Sequence, residues 1–431
     1  MTRIRPHAHH SISPIRGIAG SVLFLLTIQF SCLSTGVLAW AQTLTVLHTF
    51  TQRGDGRYPT SGVLRDANGN LYGTTGFGGS LPFGSVFKVD STGKETILHN
   101  FWGGDGWNPS SRLARGEEGT FYGTSTVGGT PEGGGCNHGC GAVFKLDRAG
   151  KQTVLYAFTG GTDGANPAAD LARDEEGALY GTTGGGGDLN CSFEGNTGCG
   201  VVFKVENDRK ETVLHAFTGT PDGEPPSGGL VRDQAGTLYG VTLFGGTYDL
   251  GSVFKIDTTG KYAVLYSFHG WNDGIVPQGD LVLDAAGNLY GTTVEGGDLS
   301  CGFHGEGCGV VFKLDPTGKE TVLYAFKGGT DGTYPNGALT PDNAGNFYGA
   351  TEQGGSTACS GNGCGTIFKL DAKGNETVLY SFTGTTDGAS PNGNLVMDVS
   401  GDLYGTTYQG GDSSCGYGGT GGCGVVFKLT L

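Results

Sequence analysis

The stretch Leu395-Val-Met-Asp-Val-Ser-Gly-Asp-Leu-Tyr-Gly-Thr-Thr407 recurs seven times, and that recurrence constrains the fold more than any other feature of the chain. Its Tyr-Gly pair falls at Tyr72, Tyr122, Tyr180, Tyr239, Tyr290, Tyr348 and Tyr404, so successive copies lie 50, 58, 59, 51, 58 and 56 residues apart. Periods of this size belong to solenoids, propellers and arrays, in which each unit buries its apolar face against the next.

Each repeat holds four short runs rich in Val, Leu, Tyr, Phe and Thr, the composition of strands. In the last repeat the first run is 395–398 and the second 403–407, joined by a tight turn around Gly401. The third is 425–429. In earlier repeats it leads through a Thr-Gly-Lys turn, such as Thr317-Gly318-Lys319, into a fourth run such as 321–326. Two connections are longer. One is an Asp-Gly-x-x-Pro loop, at Asp55, Asp105, Asp163, Asp222, Asp273, Asp331 and Asp387; the other is a Gly-Gly loop between the second and third runs. Alternate connections of an up-and-down sheet share an edge. The two tight turns therefore belong to one face, the bottom, and the two long loops to the other, the top.

The ends decide between architectures. The chain after residue 41 opens with Thr45-Val-Leu-His-Thr-Phe50, a fourth strand with no third before it, and closes with Val425-Val-Phe-Lys-Leu429, a third strand with no fourth after it. Pairing them completes a seventh sheet and closes a ring. The expectation is an all-β, seven-bladed β-propeller of four-stranded blades, closed by the N-terminal strand joining the last blade. A β-solenoid is the rival, but it calls for atypical capping repeats.

Residues 1–41 read as a signal peptide: Arg3, Arg5 and Arg16, an apolar run from Ile18, and a small-x-small site at Ala39-Trp40-Ala41. An uncleaved membrane anchor is the alternative, since the run is long. Residues 42–431 then form one repeat domain, secreted or held in the bacterial cell envelope. Losing three arginines takes the formal charge from −15 to −18. Such acidity disfavours nucleic-acid phosphates and anionic lipid as partners. The remaining cysteines fall in close pairs: Cys136/Cys140, Cys191/Cys199, Cys301/Cys308, Cys359/Cys364 and Cys415/Cys423. Even number, local pairing and an export signal indicate five loop disulfides, each within one blade. Zinc at Cys136-Asn-His-Gly-Cys140 is the rival, but a structural site needs four ligands. No metal and no cofactor is expected. Calcium at the Asp-Gly loops is weakened by the single carboxylate each supplies.

The unit Asp-x-x-Gly-Asn-Leu-Tyr-Gly-Thr-Thr…Gly-Gly…Gly-x-Val-Phe-Lys-Leu-Asp-x-x-Gly-Lys-Glu-Thr-Val-Leu-Tyr-x-Phe, clearest over 284–326, resembles the Gloeo/Verruco extracellular tandem repeat. The resemblance covers residues 44–431. It implies an exported bacterial protein with no assigned activity. The Asp-x-x-Gly-Asn-Leu-Tyr portion is also similar to NHL-type propeller repeats, and the Gly-Gly to kelch repeats. These analogies concern fold and not chemistry.

Metalloprotease, P-loop and nucleophile-elbow motifs do not occur. The repeated residues have structural readings: Gly73 and its equivalents admit a neighbouring backbone, Lys88 and its equivalents pair with acids such as Asp90 or Glu95, and the Asp of Asp-Gly shapes its loop. Arg65, Arg115, Arg173 and Arg232, at the end of four consecutive first strands, are expected to bridge turn acids such as Glu117 and Glu175. Function is sought where repeats differ. Just after the second strand, blades one to four carry Phe77, Val127, Gly185 and Phe244, whereas blades five to seven carry Glu295, then Glu352 with Gln353, then Tyr408 with Gln409. The Asp-Gly loops add Trp107, Trp271 and Tyr334. Aromatic surface beside hydrogen-bonding groups suits a sugar or peptide. The expected function is therefore a non-catalytic, monomeric binding or scaffold propeller for an extracellular polysaccharide or protein. A carbohydrate-active lyase or hydrolase with its site on the top face is the alternative; Glu295 and Glu352 would then have to face each other about 5–10 Å apart.

Overall fold

In the computed structural model, residues 42–51, 54–129, 136–193, 195–302, 305–415 and 421–431 are described; residues 1–41, where the signal-peptide reading falls, lie outside them. Seven antiparallel sheets follow one another, and no α-helix occurs among the described residues. The fifth blade shows the pattern: Ile275–Leu283, Leu289–Glu295, Val310–Leu314 and Glu320–Ala325, hydrogen-bonded in chain order. A small hairpin, Ser192–Phe193 with Asn196–Thr197, adds to the third blade's disulfide loop. The seventh blade is Ala389–Met397, Leu403–Gln409 and Val425–Thr430, completed by Thr43–Thr49, with Val46 opposite Phe427. The ring is therefore the seven-bladed propeller that the chain ends imply.

Two phenylalanines per repeat make the core between blades. The one ending each fourth strand, such as Phe50, packs edge-on against the third-strand phenylalanine of the next blade, here Phe87, with ring centroids 5.1 Å apart. The pairing repeats around the ring to Phe382 and Phe427 at 5.4 Å, and Phe50, Phe87, Phe217, Phe254, Phe382 and Phe427 are fully buried. The tip of the third-strand ring lies over the glycine of the Tyr-Gly pair in its own blade. A methyl at Gly73 would come within 2.6 Å of Phe87, and one at Gly291 within 2.7 Å of Phe312. Gly73 and its equivalents thus admit an aromatic ring, and not the neighbouring backbone expected from the sequence.

The lysines also differ from expectation. Lys204 and Lys428 do pair with acids, Glu206 and Asp402. The commoner placement, at Lys88, Lys145, Lys204, Lys313, Lys369 and Lys428, is over the ring of the repeat's tyrosine, 5.7–6.0 Å from its centroid. In six blades the tyrosine hydroxyl donates to the turn aspartate six residues earlier, as Tyr72 does to Asp66 at 3.0 Å; in blade two that position is Gly116. The arginines cross blade boundaries. Arg173 meets Glu117 at 3.7 Å and lies over Tyr122; Arg65 meets Asp398 at 3.5 Å and lies over Tyr404.

On the top face, each Asp-Gly aspartate accepts the N–H of the residue three or four positions earlier, as Asp163 does from Thr159 and Asp387 from Thr383. A fourth-strand ring clamps the same carboxylate: Tyr156 to Asp163 at 3.0 Å, His99 to Asp105 at 2.7 Å, Tyr266 to Asp273 at 2.6 Å. Protein donors thus occupy these carboxylates. In five blades the second glycine of the Gly-Gly loop reaches the Asp-Gly loop, as Gly129 N–H to Gly103 O at 3.2 Å, so both long connections share one face.

All five expected disulfides close: Cys136–Cys140, where zinc was the rival, Cys191–Cys199, Cys301–Cys308, Cys359–Cys364 and Cys415–Cys423. They are loop disulfides as expected, and the second cysteine of each pair is in addition buried. Cys364 and Cys423 are 1% and 0% exposed and belong to the core, and Cys140, Cys199 and Cys308 are buried likewise. Each stands two residues before a third strand, where the chain has already turned inward. Cys364 shares a buried cluster with Ile367 and Phe382, and Cys423 shares one with Phe50 and Val426. The bridges therefore fasten the loops to the blade interfaces, and sulfur adds apolar surface to the packing there.

Candidate functional site in the axial cavity

The innermost strand of each blade is interrupted. In blade seven its register against the second strand shifts between Asn392 and Val396, and the same break falls at Gln278/Val282 and Ser227/Val231. Such a bulge re-aims side chains. Here it turns the residue before the buried Val63, Leu113, Leu171, Leu230, Leu281, Leu339 and Leu395 towards the middle of the ring. That residue is Gly62, Arg112, Asp170, Gly229, Asp280, Ala338 or Asn394, different in kind at nearly every blade.

Four of these side chains meet. Arg112 Nε donates to Asp170 Oδ2 at 3.1 Å, and its backbone N–H donates to Oδ1 at 2.6 Å. Asn394 Nδ2 donates to Asp170 Oδ2 at 3.3 Å and to Asp280 Oδ2 at 2.8 Å, while its Oδ1 accepts the N–H of Ala338 at 2.7 Å. The N–H of Gly229 donates to Asp280 Oδ1. Six blades are joined in this way, from 112 to 394. Glycines let the bulges approach: a methyl at Gly62 would overlap the carbonyl of Asn394, and one at Gly337 would lie 2.6 Å from Gly393 O.

Burial and the facing Asp280 push Asp170 up to about 7. Burial opposes the charge on Arg112, but Asp170 and Asp280 outweigh it and hold the guanidinium above its ordinary value. Both side chains remain partly accessible to solvent, 36% and 18% of their surfaces, so these charges are screened as well as paired.

Above this floor lies a cavity of about 320 Å³. Its wall carries the residue after the repeat's proline, namely Thr60, Ser110, Ala168, Ser227, Gln278, Asn336 and Asn392, and all of these but Ala168 have a side chain that can hydrogen-bond. Gly184 and Leu243, from the ends of second strands, form its upper rim.

Strand alternation divides the residues expected at the mouth. Glu352 turns to the cavity wall, where Asn336 Nδ2 lies 3.5 Å from its carboxylate; burial raises its pKa. Tyr408, at the equivalent position, stacks on Tyr58 at 4.9 Å. Their neighbours point the other way. Gln353 and Tyr334 line a separate hollow of about 600 Å³ beside Thr357 and Asn362. Gln409 lies against Gly421. Burial and then Glu306 raise the pKa of Glu295, and no hydrogen bond joins it to Glu352 among the described residues. Trp107 packs between Phe83 and His138, and Trp271 is exposed. The cluster of Arg112, Asp170, Asp280 and Asn394 was missed in the sequence. Its signal was the chemical variety of one position inside an otherwise uniform repeat.

The sequence matches the model of the Gloeobacter/Verrucomicrobia repeat over residues 36–193 and 189–417. The chain belongs to that family. Among curated proteins none matches. Among solved structures it is similar to a streptogramin B lyase, with a TM-score of 0.56 and 13% identity over 90% of this chain and 98% of that one. It is likewise similar to the virginiamycin B lyase of Staphylococcus aureus, with a TM-score of 0.58 and 13% identity over 90% and 99%. At such identity the likeness is one of fold.

Proposed function

We propose that this family member is an exported, non-catalytic binding propeller that takes a hydroxyl-rich ligand, such as a sugar unit of an extracellular polysaccharide, at the axial cavity of its top face. The observation that carries this reading is the convergence of Arg112, Asp170, Asp280 and Asn394, all from one variable repeat position, beneath a cavity of about 320 Å³ whose wall mixes hydrogen-bonding side chains with apolar surface. Pockets of this size accept small ligands, and a few converging polar groups fix their orientation. Glu352 and Tyr408 extend this wall towards the mouth, where a longer polymer would continue. The five disulfides fit an oxidising compartment.

The test is binding to an array of plant and microbial polysaccharides by the protein and by Gln278→Trp, which fills the cavity from an exposed wall position. Binding by the parent that falls at least about tenfold in Gln278→Trp is the expected result. Binding unchanged by the tryptophan removes the cavity from the reading. Shortened sugars among the products would move it to the lyase or hydrolase class.

A further inference from the structure

Each fourth strand of blades one to six opens on a side chain that reaches the Asp-Gly loop entering its own blade. The residue is Glu95, Gln152, Glu211, Tyr262, Glu320 or Glu376. In blade two, Gln152 Nε2 donates to the backbone carbonyl of Asp105 at 2.9 Å. In blade four, Tyr262 Oη donates to the backbone carbonyl of Asp222 at 2.6 Å, its ring stacked on His215 at 3.8 Å. A carbonyl oxygen has no proton to give, so both residues serve the position as donors. In the other four blades a carboxyl stands there, and in each of them Oε1 is buried without a hydrogen-bond partner.

We infer that Glu95, Glu211, Glu320 and Glu376 are carried as neutral carboxylic acids whose protons clasp neighbouring blades, so that the ring tightens as pH falls and loosens as it rises. The proton goes to the aspartate of the adjoining loop, to its carbonyl as in blades two and four or, for Glu376, to the Asp331 carboxylate beside it. That aspartate is also held by the outer strand of the preceding blade. His48 faces Asp55, and Tyr156, Tyr266 and Tyr324 donate to Asp163, Asp273 and Asp331. The clasp thus spans the blade boundary.

The groups facing each carboxyl agree. Around Glu95 stand His48 and Asp55; Glu211 faces Asp163 and Tyr156; Glu320 faces Asp273 and Tyr266; Glu376 faces Asp331, Tyr324 and Lys327. His48 and Lys327 favour ionisation, and burial with the aspartates opposes it more strongly. Half-burial first and the aspartate second push Glu95, Glu211 and Glu320 up to about 7 and Glu376 up to about 8. A carboxyl raised in the folded state binds more protons there than in the unfolded chain. Its contribution is complete below the ordinary value of 4.5 and is lost as pH rises through about 7 to 8.

The experiment compares thermal unfolding of the protein with that of a fourfold E95Q/E211Q/E320Q/E376Q variant at pH 6 and pH 9. Glutamine supplies the donor at every pH. The parent midpoint is expected to fall by roughly 5–10 °C between the two conditions, and that of the variant to fall by less than half as much. An equal fall in both proteins overturns the inference. Infrared absorption of protonated carboxyl groups at pH 6 gives a second reading that a single Glu320→Gln variant can supply even if the fourfold variant does not fold. Loss of one carboxyl's intensity supports the clasp, and an unchanged band overturns it.

Discussion

Asn394 donates to Asp280 across 2.8 Å, although the two residues belong to blades seven and five. The same amide reaches Asp170 in blade three, so one side chain bridges two carboxyl groups that face each other. Asn394→Leu is expected to lower stability by about 1 kcal/mol, the low end of the cost of leaving polar groups unmet, because these groups are only partly buried. Urea unfolding measures it. Asn394→Asp should cost more, because a third carboxylate joins the floor.

The phenylalanine pairs set the strength of the blade interfaces. Phe217 is fully buried and meets Phe254 edge-on at 5.4 Å. Phe217→Ala should cost about 3–5 kcal/mol. Val399 projects into solvent from a turn, and Val399→Ser should change stability by less than about 0.5 kcal/mol. Comparable losses at the two positions would show that the interfaces do not dominate stability.

A conformational cost recurs before the repeat's proline. Val276 has φ 56°, which is unfavourable for a β-branched side chain. Its N–H donates to Leu250 O at 3.1 Å, and that bond to the preceding blade fixes the geometry. Asn108 and Asn166 stand at the equivalent place with φ 54° and 57°. Val276→Asn should therefore stabilise the protein by about 1 kcal/mol, read as a raised unfolding midpoint.

The disulfides close short loops. Cys301 and Cys308 are seven residues apart, and chain-entropy arguments assign such a loop about 2 kcal/mol. The Cys301→Ser, Cys308→Ser double variant should lose about that much and keep the strand content seen by circular dichroism. Loss of the sheet signal would mean that the loop organises the blade.

Much of this fold was legible because a four-strand unit repeated seven times makes parity count. The unpaired run at Thr45–Phe50 and the unpartnered strand at Val425–Leu429 specified closure. The cysteines specified the long loops, but spacing alone gave no sign that Cys364 and Cys423 sit in the core. The floor of the cavity was not legible, because it depends on a bulge. Regular alternation assigns facing by counting, and an extra residue in the innermost strand breaks the count where Asp170, Asp280 and Asn394 turn to the axis. The mouth residues were hidden by the opposite fact. Alternation does hold at the ends of the second strands, so Glu352 and Gln353, adjacent in the chain, belong to different hollows. Local reasoning placed Lys204 and Lys428 beside acids but missed the aromatic ring one strand away, over which six of the lysines lie.

The pairing of Thr43–Thr49 with Val425–Thr430 has a consequence for the order of assembly. The first strand of the propeller finds its hydrogen-bonding partner in the last one made. Six blades can form from neighbours as the chain emerges, but the seventh waits until the strand Val425–Thr430 has been delivered. Until then Val46 and Phe50 have no place in a finished sheet, and a strand edge stays open to any other chain with an unpaired edge. Closure is thus the slow, non-local step of this fold, and the interval before it is when the protein is most exposed to self-association.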